Sequence, residues 1–346
     1  MNIQNALKLY KLPLAELIYR ANEIRQKINP GNNVTWLIDR NVNITNICKV
    51  RCSFCNFCRT KKSKDAYITT IDEYRKKIEE LFAIGGNQLL LQGGLHPDLG
   101  LDFYNSLFKQ LKIEFPTLRL HALGPAEVYY LSEKEGKSIE YVLKSLINAG
   151  LDSLPGAGAE ILSNRVRKKV SPAKCSADEW LEVMKVAHQL GLVTSATMMF
   201  GHIEKIYERL QHLLLIRELQ SQKPENTPGF INFVLWPIQL NGTRLEKKRD
   251  IKKVSPTEYI RMLAISRIIL DNIPHIQPSW LTIGKEIAQV CLHAGADDMG
   301  SIMIEENVVS AAGANKTTIA IDEMKQMIIE AGFIPRQRNQ RFELID

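Results

Sequence analysis

Residues 71–94, IDEYRKKIEELFAIGGNQLLLQGG, contain one full repeat of the pattern that decides the fold. Ile71–Ala83 carries apolar residues at helical spacing, Asp72 stands where an N-cap would serve, and Gly85 punctuates the end. Gln88–Gln92 is then a short apolar run closed by Gly93 and Gly94, the form of a buried parallel strand. The same alternation extends in both directions. Strands are predicted at Asn41–Thr45, Gln88–Gln92, Arg119–Leu123, Asp152–Leu154, Thr194–Phe200, Phe230–Trp236, His275–Trp280 and Ala296–Gly300. Helical patterns separate them at Leu101–Phe115, Ile139–Ala149, Ala177–Leu190, Glu204–Leu219 and Thr257–Leu270, with Ser176 and Thr257 as further N-caps. Eight such units over roughly 260 residues predict an α/β protein built as a (β/α)8 TIM-type barrel. The alternative is a partial (β/α)6 barrel with a C-terminal subdomain. Both place chemistry at the C-terminal ends of the strands.

Residues 1–34 read as an N-terminal amphipathic helical extension, and residues 35–346 as the barrel with a closing helix and strand. The extension lacks the apolar segment and cleavage site of a signal peptide, so a cytoplasmic protein is expected. Hydrophobic residues make up 45% and charged residues 24%, which excludes a disordered chain or a small disulfide scaffold. No run approaches the ~18 apolar residues of a membrane span, and no membrane partner is expected. Lys and Arg outnumber Asp and Glu by 45 to 38. The basic runs at 61–64, 165–169 and 247–253 lack the interleaved aromatics of a single-strand platform, so they read as solvated surface and no nucleic-acid partner is expected.

Four of the six cysteines, Cys48, Cys52, Cys55 and Cys58, share one short window directly after the first predicted strand. Such a cluster in a long chain without a secretion signal points to metal rather than disulfides. Cys175 and Cys291 read as buried free thiols. Thiolates at Cys48-x3-Cys52-x2-Cys55 can hold three irons of a [4Fe–4S] cube and leave the fourth open to a ligand. A zinc knot using all four cysteines and an electron-transfer cluster closed by Cys58 are the alternatives of another, non-catalytic class. Structural zinc more often splits its ligands into two distant pairs.

With Phe54 just before its third Cys, the motif resembles the signature of the radical S-adenosylmethionine superfamily. Asn43-Ile-Thr-Asn-Ile-Cys48 and Leu91-Gln-Gly-Gly-Leu-His-Pro-Asp98 are similar to the branch containing the futalosine-pathway menaquinone enzymes and the deazaflavin synthases. Within it, residues 154–160, 171–180, 196–204, 272–280 and 303–313 resemble the dehypoxanthine futalosine cyclase family (cyclic dehypoxanthinyl futalosine synthases), so the likeness runs from about residue 35 to 340. Cys58 departs from that family, which more often has Tyr there.

The resemblance implies a [4Fe–4S] cluster on Cys48, Cys52 and Cys55, with S-adenosylmethionine chelating the open iron. Cleavage of that cofactor gives a 5′-deoxyadenosyl radical, which removes the ribose C4′ hydrogen of dehypoxanthine futalosine. The resulting carbon radical attacks the benzoate ring, a C–C bond-forming oxidoreductase reaction of menaquinone biosynthesis. A one-electron reductant such as flavodoxin or ferredoxin is implied as partner. The sister aminofutalosine synthase and a deazaflavin-synthase-like enzyme are alternatives. By the same resemblance, Gly93 and Gly94 bind the methionyl amino group and Phe54 lies near the adenine, against the plainer readings of a tight turn and a hydrophobic plug.

Single residues carry further expectations. Glu160, in a Gly-rich loop after the fourth strand, suits the cofactor's ammonium or ribose hydroxyls, and Lys174 suits its carboxylate. His202 at the end of the fifth strand, Asp298 near the eighth, and Glu305 in the turn with Glu306 and Asn307 are the candidates for base or hydroxyl binding. His96 and His121 lie near strands two and three. A structural role fits each of these equally. For the benzoate carboxylate the candidates are Arg244 and the Arg165/Arg167 pair, with surface charge favoured for Arg167. Trp236 and Trp280 are placed to wall a ring pocket or to act as core lids.

Overall fold

Asn33–Leu37 (β1) and Asp39–Asn43 (β2) follow each other with only Ile38 between them, yet they enter different sheets. The computed structural model describes residues 1–248, 251–308, 310–312 and 318–345. Within them β2 leads a seven-stranded parallel sheet in strict chain order. Its other strands are β3 (Gln88–Gln92), β4 (Arg119–Ala122), β5 (Ser153–Leu154), β6 (Val193–Phe200), β7 (Gly229–Pro237) and β8 (His275–Pro278). Helices cross between successive strands, so the architecture is α/β of the TIM-barrel type, with seven strands in one continuous ladder. All eight residues of β6 are buried, as a strand covered on both faces requires.

The eighth predicted strand does not close this ladder. It is β9 (Asp298–Ser301), and it pairs with β1, which in turn pairs with β10 (Ile334–Gln337) in a three-stranded parallel sheet. β1, which the alternation did not predict, and β10, the expected closing strand, therefore capture β9. The Asp297 N–H donates to the Ile276 carbonyl at 3.1 Å and ties the start of β9 to β8.

Local chemistry moves several boundaries. Thr70, and not Asp72, caps the helix Ile71–Ala83, because Thr70 and Glu73 form a reciprocal capping box. Ser255 replaces Thr257 as cap of the helix Pro256–Ile269, since Pro256 takes the first helical position, where no N–H is needed. The N-terminal extension forms two helices, Ile3–Tyr10 and Leu14–Ile28, with Pro13 at the break. Trp280 does not end a strand but starts the short helix Trp280–Ile283. The 247–253 and 303–313 stretches fall partly outside the described residues.

The core is one large apolar cluster around the strands and inner helix faces. Polar positions interrupt it on the inner side of the barrel: Asp39, Asn41 and Asn43 of β2, Ser195 and Thr197 of β6, and Asn232 of β7 all line a central cavity of about 450 Å³. Alternation along each strand puts these side chains inward and their neighbours against the helices. Among the described residues no helix is long and apolar enough to cross a membrane.

Candidate active site at the C-terminal ends of the strands

The cysteine loop leaves the C-terminal end of β2 and is fixed at four separate points. Gly94 N–H donates to the Thr45 carbonyl at 2.8 Å, Lys49 N–H to Leu95 at 3.1 Å, Ser53 N–H to Val170 at 2.8 Å, and Leu245 N–H to Ser53 at 2.8 Å. Arg51 takes a left-handed φ of +53°, which turns the chain between the first and second cysteines. Cys48, Cys52, Cys55 and Cys58 all line the cavity. Cys48 Sγ accepts the Leu95 N–H at 3.3 Å. The Cys58 thiol beside it donates to the Cys48 carbonyl at 3.3 Å, and its proximity holds the Cys48 thiol well below the usual thiol range, with burial opposing. The same proximity, then burial, pushes Cys58 up. Burial alone dominates at Cys52, pushed up to about 12, and raises Cys55.

Gly93 and Gly94 run beneath this loop. A Cβ on Gly94 would lie 2.3 Å from the Ile47 carbonyl oxygen and 2.8 Å from Cys48 Cβ, so glycine is required there by the loop itself. Phe54, Glu160 and Lys174 line the cavity as well. Glu160 sits at φ +43°, a backbone conformation that a non-glycine residue rarely adopts, held by Met199 N–H donating to its carbonyl at 3.0 Å. Its Oε1 accepts from Lys174 Nζ at 2.8 Å, while buried Oε2 has no hydrogen bond and lies 3.6 Å from Arg167 Nη1. Burial opposes the charge on Glu160, but Lys174 and Arg167 prevail and hold its carboxyl low; burial likewise opposes Lys174, which Glu160 and Cys52 hold up.

Three predicted catalytic residues are not brought to the cavity wall. His202 is buried against its own turn, with Nδ1 3.2 Å from Glu204 and Nε2 3.2 Å from the Met199 carbonyl, and burial lowers its pKa. Asp298 accepts from Thr35, from Gly300 N–H at 2.8 Å, and from two nitrogens of Arg338. Glu305 faces Arg40 and Lys77 on the outer side, whereas its neighbour Glu306 lines the cavity and accepts the N–H groups of Val308 and Ser310.

The arginine candidates also lie elsewhere. Arg244 holds the loop carbonyls of Arg51 and Cys52, and Arg165 pairs with Glu208. Arg167 is not surface charge: it is 2% exposed, with its guanidinium donating to the carbonyls of Gly158, Ala159 and Cys175. Trp236 and Trp280 do line the cavity, the latter fixed by its indole N–H on the Ser301 carbonyl at 3.0 Å.

Sequence reasoning missed Glu127 and Arg338. Glu127 follows β4, and its carboxyl, near Gly93 N–H, is pushed up to about 6 by burial with Lys174 opposing. The Gly124-Pro125 helix start just ahead of it was the available signal. Arg338 comes from the segment after β10, and Lys174 and Arg338 are the Lys and Arg side chains lining the cavity among the described residues.

The model of the radical SAM superfamily matches residues 42–216. The chain belongs to the radical SAM superfamily. A second model, the CofH/MqnC C-terminal region, matches residues 227–346. The chain is 40% identical over 346 residues to the cyclic dehypoxanthine futalosine synthase of Halalkalibacterium halodurans, covering 100% of this chain and 91% of that one. It is 37% identical over 345 residues to 5-amino-6-(D-ribitylamino)uracil–L-tyrosine 4-hydroxyphenyl transferase 1 of Methanosarcina barkeri, covering 98% and 89%. Methylornithine synthase superposes with a TM-score of 0.71 at 18% identity over 98% of this chain and 94% of that one, which shows the shared fold.

The chain is thus a radical SAM enzyme, with a [4Fe–4S] cluster and S-adenosylmethionine as cofactors. Its residues fit these groups. Thiols fixed from several elements open on one cavity, the glycine edge of β3 runs directly under them, and a carboxylate oxygen of Glu160 without a hydrogen bond lies on the same wall.

Proposed function

We propose that the chain converts dehypoxanthine futalosine to cyclic dehypoxanthine futalosine, a step of menaquinone biosynthesis. The observation that carries this reading is the mixed lining of one cavity. It joins the cysteine loop to an apolar wall (Val234, Trp236, Trp280), buried amide side chains and one guanidinium, which matches a substrate carrying an aromatic ring, a sugar and a carboxylate. The 40% identity to a curated cyclase over the whole chain supports it.

Cys48, Cys52 and Cys55 hold the cluster in this reading, and together with S-adenosylmethionine it supplies a hydrogen-abstracting carbon radical. The rest is positioning by this chain. Gly93, Gly94 and Glu127 offer backbone and carboxylate contacts to the methionyl end, Glu160 Oε2 accepts from an ammonium or ribose hydroxyl, and Phe54 covers the adenine. Lys174, neutralised by Glu160, keeps that carboxylate ionised. Trp236 and Trp280 hold the benzoate ring against the sugar and keep water away from the reacting carbons. Arg338, oriented by Asp298 through two hydrogen bonds, presents its remaining N–H groups to the benzoate carboxylate. The reductant is a one-electron carrier of the flavodoxin or ferredoxin type.

A second reading follows from the 37% identity to a tyrosine 4-hydroxyphenyl transferase. Anaerobic incubation of the reconstituted protein with dithionite, S-adenosylmethionine and dehypoxanthine futalosine separates the two. Mass spectrometry should show a cyclised product lighter than the substrate by two hydrogens, together with 5′-deoxyadenosine. Product only from 5-amino-6-(D-ribitylamino)uracil and tyrosine would replace the cyclase reading with the transferase.

A further inference from the structure

The cavity has a lower part that the cofactor contacts leave unused. Gln88 lies at the N-terminal end of β3, Asn41 in the middle of β2, and Asn232 in the first half of β7, so all three sit below the level of the cysteine loop. They are 3%, 6% and 5% exposed, line the cavity, and each has a side-chain oxygen without a hydrogen bond. Both Gln88 and Asn232 meet a neighbouring side chain. The Gln88 amide must turn its Nε2 to the Asp39 carboxylate, 3.2 Å away, which leaves Oε1 facing the cavity. The Asn232 amide pairs with the Gln277 amide, its Nδ2 donating to Oε1 at 2.9 Å, and its Oδ1 has no hydrogen bond. Asn41 is in register with Leu90 of β3, and through it with His121 of β4, so no neighbouring amide on that row meets it.

A buried carbonyl oxygen without a donor is unfavourable by an amount comparable to a lost hydrogen bond, and the fold has placed three of them on one cavity. An apolar group there would leave all three unsatisfied. A carboxylate would set oxygen against oxygen. Hydroxyl groups answer the need, since each donates to an amide oxygen and can accept in return.

We propose that this lower part of the cavity is a hydroxyl-binding subsite, in which the amides of Asn41, Gln88 and Asn232 hold the pentose hydroxyls of the substrate. The assignment rests on the cyclase reading and deepens it. With its hydroxyls held below, the sugar is fixed in height and register beneath the cysteine loop. The three amides are positioning residues, and their substitution changes how the sugar is held rather than the chemistry.

The test uses the reconstituted holoenzyme with S-adenosylmethionine, dehypoxanthine futalosine and its 2′-deoxy and 3′-deoxy analogues, with binding read by anaerobic calorimetry. Loss of one hydroxyl should weaken binding to the wild type about tenfold, because an amide oxygen is left unpaired. Asn41→Leu and Asn232→Leu, made separately so that one poorly folding variant leaves the other, should each bind the parent about tenfold more weakly and no longer distinguish it from one deoxy analogue. Circular dichroism and iron content identify the folded, loaded variants. Binding unchanged in both variants, or an equal loss for the parent and both analogues, overturns the subsite and leaves the cyclase reading standing. A wild-type holoenzyme that binds no dehypoxanthine futalosine overturns both.

Discussion

Replacing Gly94 by Ala probes how the cysteine loop is held. The new Cβ would stand 2.3 Å from the Ile47 carbonyl oxygen and 2.8 Å from Cys48 Cβ. Favourable contacts begin near ~3.5 Å, so the two segments must separate by about 1 Å. Neither obstacle is the far end of a flexible side chain, so the movement falls on backbone. It strains the Gly94 N–H to Thr45 bond (2.8 Å), the Lys49 N–H to Leu95 bond (3.1 Å) and the Leu95 N–H to Cys48 Sγ contact (3.3 Å). Overpacking costs ~1–3 kcal/mol and a weakened hydrogen bond ~1 kcal/mol, so about 3 kcal/mol is expected in all. With an unfolding entropy of ~0.7 kcal/mol/K for a chain of this length, Tm should fall by about 4 °C. Cys48 moves with the loop, so iron content after anaerobic reconstitution should drop well below the wild type, and 5′-deoxyadenosine yield with it. Calorimetry and iron analysis read both effects. Wild-type iron content together with a Tm within about 1 °C of the wild type would refute the packing argument.

Serine at Cys48, Cys52 or Cys55 should abolish the cluster and all turnover, because a serine oxygen is a poor iron ligand and two thiolates cannot hold the cube; full iron content in any one variant removes that residue from the ligand set. Cys58→Ala should keep the cluster and cofactor cleavage, since the three-Cys motif is complete without Cys58, whose thiol donates to the Cys48 backbone carbonyl. Loss of iron in Cys58→Ala, with iron kept in Cys48→Ala, would reverse the ligand assignment. Glu127→Gln should stabilise the metal-free protein in a pH-dependent way. Burial lifts this carboxyl from 4.5 to about 6, so the wild type keeps full stability below the unfolded pKa and loses it as pH rises through the folded one. The variant should gain ~2 kcal/mol at pH 8 and nothing at pH 4 in denaturant titrations; the same gain at both pH values would contradict the assignment.

Some of the site was readable in local sequence because its signals are local. Cys48, Cys52 and Cys55 share one loop, Gly93 and Gly94 end their own strand, and Glu160 and Lys174 lie close together in the chain and meet at 2.8 Å. His202 and Asp298 are suggested by their nearness to strands five and eight, and Glu305 by the turn it shares with Glu306 and Asn307. That rule gives height along the barrel but not which way a side chain points, and their charged partners, Glu204 for His202, Arg338 for Asp298, and Lys77 with Arg40 for Glu305, turn all three away from the cavity. Arg167 looked like one member of a basic run, because composition does not show that three carbonyls wait around its guanidinium.

By itself the sequence determined the alternation of strand and helix, the parallel order that follows from it, and the thiol-rich loop at the end of β2, because periodicity and spacing are properties of neighbouring residues. Only the tertiary structure decided that β9 joins β1 and β10, that Arg338 enters the cavity from the segment after β10, and that Asn41, Gln88 and Asn232 face one another's space. A single polar residue in an apolar strand reads the same whether it points at water, at a helix or into a barrel. Its meaning is fixed by partners on other strands, such as Asp39 for Gln88 and Gln277 for Asn232, and those are chosen when the sheet curves.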